Sequence, residues 1–360
     1  MKIVIAAGGT GGHLYPGIAI AREVLAEAGN EVLFVGTEQG IEARVLPKES
    51  LPVQFITVGR LKGMSARSIL KTLVMLPRSL SQSVALLRRE RPDAVVGVGG
   101  YASGPVALAA WLFRVPLVIV EPNSYAGLAN RVLGRFAKKV FVCFPGRDLQ
   151  GFFPEKKKVL AGPLVRKGIT GGDRGRALAA FGLEPDRFTV FVMGGSGGAH
   201  AINMAMKEAA PELKGVPGLQ VLHQTGEKDA EDVKQGYQRA GMKAAVLPYI
   251  HDMAGAYAAA DLVVSRSGAT TVAELAVCGK RSVLIPYPFA ADNHQEHNAQ
   301  SLAQRGGGEV IVQKDLTPQK LASVIQRYAR GEGGTTAPLA STAAEEIVRA
   351  CKECVYSKQR

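Results

Sequence analysis

Three glycine-rich segments hold the residues best suited to binding and transferring groups. They read Gly8-Gly9-Thr10-Gly11-Gly12-His13, Gly97-Val98-Gly99-Gly100-Tyr101-Ala102-Ser103-Gly104-Pro105 and Gly194-Gly195-Ser196-Gly197-Gly198-Ala199. The first follows the apolar run Ile3 to Ala7, the third follows Phe188 to Met193, and helix-like sequence comes after each. A strand, a glycine turn and a helix start aim backbone N–H groups and a helix dipole at one point, a place for phosphate or another anion. Ser196 can add a hydroxyl contact there. His13 ends the first loop at a helix start. An imidazole titrates near neutrality, and a helix N-terminus disfavours its cation, so a histidine there suits proton abstraction. Read alone, it is better explained as a residue that caps the helix or packs beneath the loop.

These loops need strands to hold them. Short runs rich in Val, Ile and Phe recur at Lys2–Ala6, Glu31–Val35, Val53–Thr57, Ala94–Val98, Leu117–Val120, Val140–Cys143 and Val159–Leu160. The second half adds Thr189–Met193, Gln220–His223, Ala245–Leu247, Leu262–Ser265, Ser282–Ile285 and Glu309–Val312. Continuous apolar runs are what strands buried on both faces look like. Alternation with helices predicts two doubly wound α/β domains facing each other across a cleft. The length of 360 residues suffices for two cores. Ala161-Gly162-Pro163 marks the boundary. The expected division is a first domain over 1–162, a second over 163–340, and a terminal helix in 341–360. Thr342 to Tyr356 reads as that helix.

Composition narrows the function classes. Apolar residues make up 47% and the formal net charge is +13, so the chain is globular and basic. The excess fits a solvated surface or a polyanionic partner. No zinc-finger, basic-zipper or aromatic-basic pattern accompanies it, so no nucleic acid partner is expected. Lys2 leads straight into an apolar run ending at Gly8, which does not fit a secretory leader. The longest apolar stretch, Val106 to Val120, is broken by Arg114 and Pro116 and is too short to span a bilayer. A soluble or peripheral protein is expected. Cys143, Cys278, Cys351 and Cys354 read as reduced thiols, the last two as incidental residues on a helix.

Strand–glycine loop–helix is also a dinucleotide signature, but its last glycine is replaced here by Leu14 in the first loop and His200 in the third. Glu38, just past the second strand, keeps nicotinamide binding as an alternative. No Gly-Lys-Ser/Thr follows either loop, so no P-loop is present. The loops fit a nucleotide-sugar transferase. Gly8–Gly12-His13-Leu14-Tyr15-Pro16-Gly17, Gly99–Pro105, Glu121-Pro122-Asn123, Gly162-Pro163-Leu164-Val165-Arg166, Ser265-Arg266-Ser267-Gly268 through Glu274, and Asp292-Asn293-His294-Gln295 through Asn298-Ala299 follow one another in order. Together they resemble the motif set of the MurG family. Its members transfer N-acetylglucosamine from UDP-N-acetylglucosamine to the lipid-linked muramoyl-pentapeptide of peptidoglycan synthesis. Two departures are Gly197, where the family commonly has Gln, and Gly162-Pro163 in place of Asn-Pro.

The resemblance implies the GT-B fold of two Rossmann-like domains, with 1–162 for acceptor and membrane, 163–340 for the UDP-sugar, and the helix of 341–360 packing back on the first domain. It also implies an inverting transfer to the C4 hydroxyl of the muramoyl sugar, which serves cell wall biogenesis, cell shape and cell division. His13 becomes the candidate for catalysis, as base or orienting group. Thr10, Gly11 and Gly12 would bind substrate, and Tyr101 and Asn123 would face the cleft from the first half, toward the acceptor or the donor sugar. Glu274 would accept the ribose hydroxyls, Ile250 and Arg266 would lie near the uracil, Ala269, Thr270, Thr271, Val272 and Ala273 would form the loop over the sugar, and Gln295 would contact its hydroxyls. His294 beside it could add a polar contact or be structural. Many such enzymes hold a metal with Asp-x-Asp; this sequence contains none. No metal or other cofactor is therefore expected, and Arg166, Ser196 and helix N-termini would carry the leaving-group charge.

A lipid acceptor requires contact with a membrane. Ile69 to Leu80 mixes apolar residues with Lys71 and Arg78, and Lys62, Arg67, Arg88 and Arg89 flank it. Trp111 and Lys138-Lys139 would join the patch, as the family's own patch implies. Exposed, it would dock on anionic lipid at the cytoplasmic membrane face; buried, it is an ordinary amphipathic helix. The rivals are a GT-B transferase with another acceptor, a UDP-N-acetylglucosamine epimerase of the same fold, and a non-catalytic nucleotide-binding module.

Overall fold

All the strand runs read from the sequence form, and the strands that feed the glycine loops lie inside their sheets. The computed structural model describes residues 1–59, 66–145, 151–334 and 336–359, with the backbone alone for 66–74 and 358–359. It divides into two compact units, Met1–Arg166 with Ser341–Arg360, and Lys167–Ala340.

In the first unit the strands are β1 (Lys2–Ala7), β2 (Glu31–Gly36), β3 (Val53–Phe55), β4 (Ala94–Gly99), β5 (Leu117–Glu121), β6 (Lys139–Val142) and β7 (Lys158–Leu160). They pair in parallel in the order β3-β2-β1-β4-β5-β6-β7. Helices α1 (Gly11–Leu25), α2 (Glu42–Val45), α3 (Ala66–Glu90), α4 (Ser103–Leu112) and α5 (Leu128–Leu133) connect them. Ile3 through Ala7 are fully buried, because helices cover both faces of a parallel sheet. Val4, Val35, Val95, Val106, Ile119 and Val140 belong to one core cluster of this unit.

The second unit repeats the plan with β8 (Phe188–Met193), β9 (Leu219–Gln224), β10 (Ala244–Leu247), β11 (Leu262–Ser265), β12 (Ser282–Leu284) and β13 (Gly308–Val310). Their order is β10-β9-β8-β11-β12-β13, again parallel. Its helices are α6 (Arg174–Ala180), α7 (His200–Leu213), α8 (Ala230–Ala240), α9 (Met253–Ala259), α10 (Ala269–Val277), α11 (His294–Ala303) and α12 (Pro318–Ala329). Val190, Val192, Ile202, Met206, Val264 and Ile325 lie in its core.

The chain then returns to the first unit as α13 (Ala343–Gln359), which packs on α1. Lys352 pairs there with Glu27, and Lys139 Nζ lies 2.9 Å from Glu353. Cys351 and Cys354 are both buried free thiols on this helix. Burial pushes the Cys351 thiol up to about 12, so it is neither a nucleophile nor a ready ligand at neutral pH.

In each sheet the strand order reverses beside the strand that enters first, between β1 and β4 and between β8 and β11. Loops leaving the carboxyl ends of such neighbours diverge and open a crevice. Two glycines are required by close approach there. A Cβ on Gly100, at φ +86°, would lie 2.2 Å from the Gly8 carbonyl oxygen, and one on Gly198, at φ +75°, would lie 1.8 Å from that of Thr225. Gly100→Ala is expected to cost at least about 2 kcal/mol from the left-handed backbone and the clash together. A fall in the urea midpoint checks this, and an unchanged midpoint contradicts the interlock of the two loops.

Candidate active site

In the first unit the β1–β4 register slips between Ala6 and Ala7, so that Ala7 pairs with Gly99 and both chains leave the sheet together. Thr10 then caps α1, its carbonyl accepting from the N–H groups of His13 and Leu14 at 3.2 and 3.1 Å. Its Oγ1 stands 3.2 Å from His13 Nδ1, which leaves Nε2 as the ring atom for proton transfer when Nδ1 carries the hydrogen. The imidazole lies against the second loop: a Cβ on Gly99 would meet His13 Cδ2 at 2.7 Å and Nε2 at 2.9 Å. The Tyr101 ring lies 3.7 Å from where a Gly9 Cβ would be. Thr10, Gly11, Gly12, His13 and Tyr101 therefore form one cluster at the switch point. Arg166 sits beside it, its guanidinium 5.0 Å over the ring of Tyr15 on α1.

Two buried carboxylates order loops of this unit. Glu121, at the end of β5, is fully buried. Its Oε1 accepts from the Asn123 backbone N–H at 2.9 Å and from Asn123 Nδ2 at 3.0 Å, and its Oε2 from Gly127 N–H and Asn130 Nδ2, both at 2.9 Å. Burial pushes its carboxyl up, and these donors oppose the shift. The second is Glu42, which accepts the Gly9 N–H at 2.8 Å. One backbone N–H of the first glycine loop is thus taken by the protein's own Glu42 side chain. Glu38, the acid considered for a ribose, is exposed.

In the second unit α7 and α10 start at the carboxyl ends of the neighbours β8 and β11, so their first-turn N–H groups open at the same switch point. Ser196 is exposed on the loop between β8 and α7. Gln224 ties that loop to the segment after β10: its Nε2 donates to the Gly195 carbonyl at 2.9 Å, and its Oε1 accepts the Ile250 N–H at 2.9 Å. Within α10, Ala269, Val272 and Ala273 are buried while Thr270 and Thr271 are half-buried. Glu274 is only 2% exposed, and its Oε2 accepts from the Tyr257 hydroxyl at 2.9 Å. Tyr257 is held edge-on by Phe191, ring centroids 5.9 Å apart.

Arg266 has its guanidinium largely committed. Its Nη1 donates to the Ile285 and Pro286 carbonyls at 3.1 Å each, and its Nη2 to Gln313 Oε1 at 2.6 Å. Gln295 is joined to the same region, its Oε1 accepting the Tyr287 N–H at 3.0 Å and its carbonyl the Ser267 hydroxyl at 2.7 Å. His294 Nδ1 is 2.7 Å from the Ala291 carbonyl, and burial pushes this imidazole down. Gln224, Tyr257 and Glu42 are contributors that sequence reading did not single out. Only Glu42 left a usable signal, the glycines of Gly36-Thr37-x-x-Gly40-x-Glu42 spaced around an acid. No group of three or more His, Cys, Asp or Glu residues among the described residues is arranged to hold a metal ion.

Comparison with known proteins identifies the family of both domains. Residues 3–142 match the glycosyltransferase family 28 N-terminal domain and residues 189–352 its C-terminal domain. A protein of Anaeromyxobacter sp. (strain Fw109-5) is 46% identical, covering 99% of this chain and 94% of its own; it is a UDP-N-acetylglucosamine–N-acetylmuramyl-(pentapeptide) pyrophosphoryl-undecaprenol N-acetylglucosamine transferase. A protein of the same name from Citrifermentans bemidjiense is 48% identical over 90% of both chains. The crystal structure of Acinetobacter baumannii MurG superposes with a TM-score of 0.75 at 29% identity, covering 98% of this chain and 99% of that one.

Proposed function

The chain belongs to the MurG family within glycosyltransferase family 28, and from that premise we propose that it transfers N-acetylglucosamine from UDP-N-acetylglucosamine to the C4 hydroxyl of a lipid-linked muramoyl-pentapeptide. The observation that carries the reading is that each unit has its own polar group at its switch point, a histidine cluster in the first and a buried, tyrosine-braced Glu274 in the second. The acceptor hydroxyl loses its proton to His13 as its oxygen attacks the anomeric carbon. The bond from that carbon to the diphosphate oxygen breaks, and UDP departs with the electron pair. A placed base contributes about 10²- to 10⁴-fold.

The departing charge needs fixed positive potential, which the first turns of α7 and α10, the Gly194–Ala199 loop, Ser196 and Arg166 supply. Glu274 takes the ribose hydroxyls. The Ile250 segment and Arg266 shape the uracil side, and Arg266 does so through the carbonyls it holds. Residues 269–273 cover the sugar, Gln295 meets its hydroxyls, and Tyr101 and Asn123 face the acceptor. Labelled N-acetylglucosamine should pass from its UDP donor into the lipid fraction at an undiminished rate in EDTA. UDP release with water alone, or formation of the sugar epimer without lipid product, would sink this reading in favour of the rivals.

The lipid acceptor places the protein, on this reading, peripherally at the cytoplasmic face of the membrane. No described helix is long and apolar enough to cross one. Support comes from apolar side chains that the first unit leaves exposed: Leu76 on α3, and Trp111, Leu112 and Phe113 at the end of α4. Trp111 lies tilted against Phe136 with centroids 4.6 Å apart, and Arg88 lies 4.9 Å over Phe113. Exposed Arg114 and Lys138 stand beside these residues in sequence. Leu80 instead packs half-buried against the core, so the expected Ile69–Leu80 patch is only partly a surface. Lys62 and the side chains of 66–74 lie outside the described residues. Replacing Arg88 and Arg114 by alanine removes about 1 kcal/mol each of attraction to anionic lipid. Binding to phosphatidylglycerol vesicles should fall about 10- to 30-fold with turnover on a detergent-soluble acceptor unchanged; unaltered vesicle binding would contradict this face.

A further inference from the structure

Glu42, the first residue of α2, is fully buried, yet it faces loops. Its Oε1 accepts the Thr37 N–H at 2.7 Å and the Thr37 hydroxyl at 3.0 Å, and its Oε2 accepts the Gly9 N–H at 2.8 Å. All three donors are neutral. Glycines from two segments, Gly8 after β1 and Gly36 and Gly40 between β2 and α2, make the room: a Cβ on Gly8, Gly36 or Gly40 would come within 2.4, 2.4 or 2.1 Å of the Glu42 side chain. A carboxylate buried among neutral donors is a poor way to gain stability, since an apolar side chain of similar volume does as well or better. What the arrangement supplies is geometry.

The bond to Gly9 fixes the residue next to Thr10, in a turn where Gly9 itself has φ +82°. Thr10 in turn caps α1 and meets His13 Nδ1. We propose that Glu42 is a positioning residue for the transfer: its carboxylate, seated in the Gly8–Gly36–Gly40 cradle, locks the first glycine loop so that Thr10 holds His13 against the acceptor hydroxyl. The inference rests on the assignment of His13 to that hydroxyl. Glutamine cannot replace this glutamate, because its NH2 would face either the Gly9 N–H or the Thr37 donors. Gly40→Ala displaces the carboxylate without removing it. A catalytic group misplaced by about 1 Å loses on the order of 10²-fold in rate.

The test is a double-mutant cycle on the full chain, with E42Q, G40A, H13A and H13A/E42Q assayed for kcat, donor KM and UDP affinity. E42Q and G40A should lower kcat by about 10- to 100-fold while UDP affinity stays within about twofold. Adding E42Q to H13A should cost less than about threefold, because no histidine remains to be misplaced. A purely structural role predicts instead that E42Q lowers the melting midpoint and multiplies fully onto H13A. That result, or unchanged kcat in both E42Q and G40A, overturns the proposal. Should E42Q fail to fold, H13A/G40A completes the same cycle. A wild-type rate for H13A itself would remove the histidine assignment and identify that as the failure.

Discussion

His13→Ala is expected to lower kcat by about 10²- to 10⁴-fold and to leave UDP affinity almost unchanged. The split follows from where the groups lie. His13 sits in the first unit, between Thr10 and the Gly99 backbone. The residues assigned to the nucleotide, Glu274 and the Ile250 segment, belong to the second. A group that acts only as the acceptor hydroxyl loses its proton contributes to the transition state and not to donor binding. The acid limb of the pH–rate profile should vanish in the variant, since the base that protonates along it is gone. A proportionate rise in KM with kcat intact would show that the imidazole only binds substrate.

Glu274→Ala is expected to act in the opposite way, raising the donor KM by about 10- to 100-fold. A carboxylate that accepts two hydroxyls makes charge-assisted bonds, each roughly twice as strong as a neutral one. Glu274 is ready for that role because it is nearly fully buried and the Tyr257 hydroxyl holds one of its oxygens. Tyr257→Phe keeps the ring packed on Phe191 and removes only the hydroxyl, so the donor KM should rise about 3- to 10-fold. The discriminating ligand is 2′-deoxy-UDP. The parent protein should bind it more weakly than UDP, and Glu274→Ala should bind the two alike. If the variant discriminates as well as the parent, the carboxylate does not touch the ribose.

How far the site could be read before folding differs between its parts, for physical reasons. Parallel strands covered on both faces leave continuous apolar runs, so β1, β4, β8 and β11 were legible from Val and Ile content alone. The glycine turns after β1 and β8 were equally plain. The resemblance to the MurG family, and the fold and reaction it implied, are borne out by the family match and by the superposition on a solved MurG. Relations between side chains from distant segments were not legible. Glu42 reaches Gly9 across 33 residues, and Tyr257 reaches Glu274 across β11. Neither pairing has a spacing rule. Arg266 read as a cation near the base, but its carbonyl partners come from the exit of β12 and from Gln313. The apolar side of α3 divides within one turn: Leu76 is 42% exposed while Leu80 packs on the core, a distinction set by what the helix covers.

The most direct measurement of the central claim is the anomeric configuration of the product. In a single displacement, the hydroxyl attacks the face opposite the departing UDP, so an α-linked donor must give a β-linked disaccharide. Proton NMR of the lipid-released disaccharide should show the large axial–axial coupling of a β-anomer, joined at the muramoyl C4 oxygen. An α-linkage would require a second displacement or a front-face route. It would contradict the assignment of His13 as the base of one direct attack.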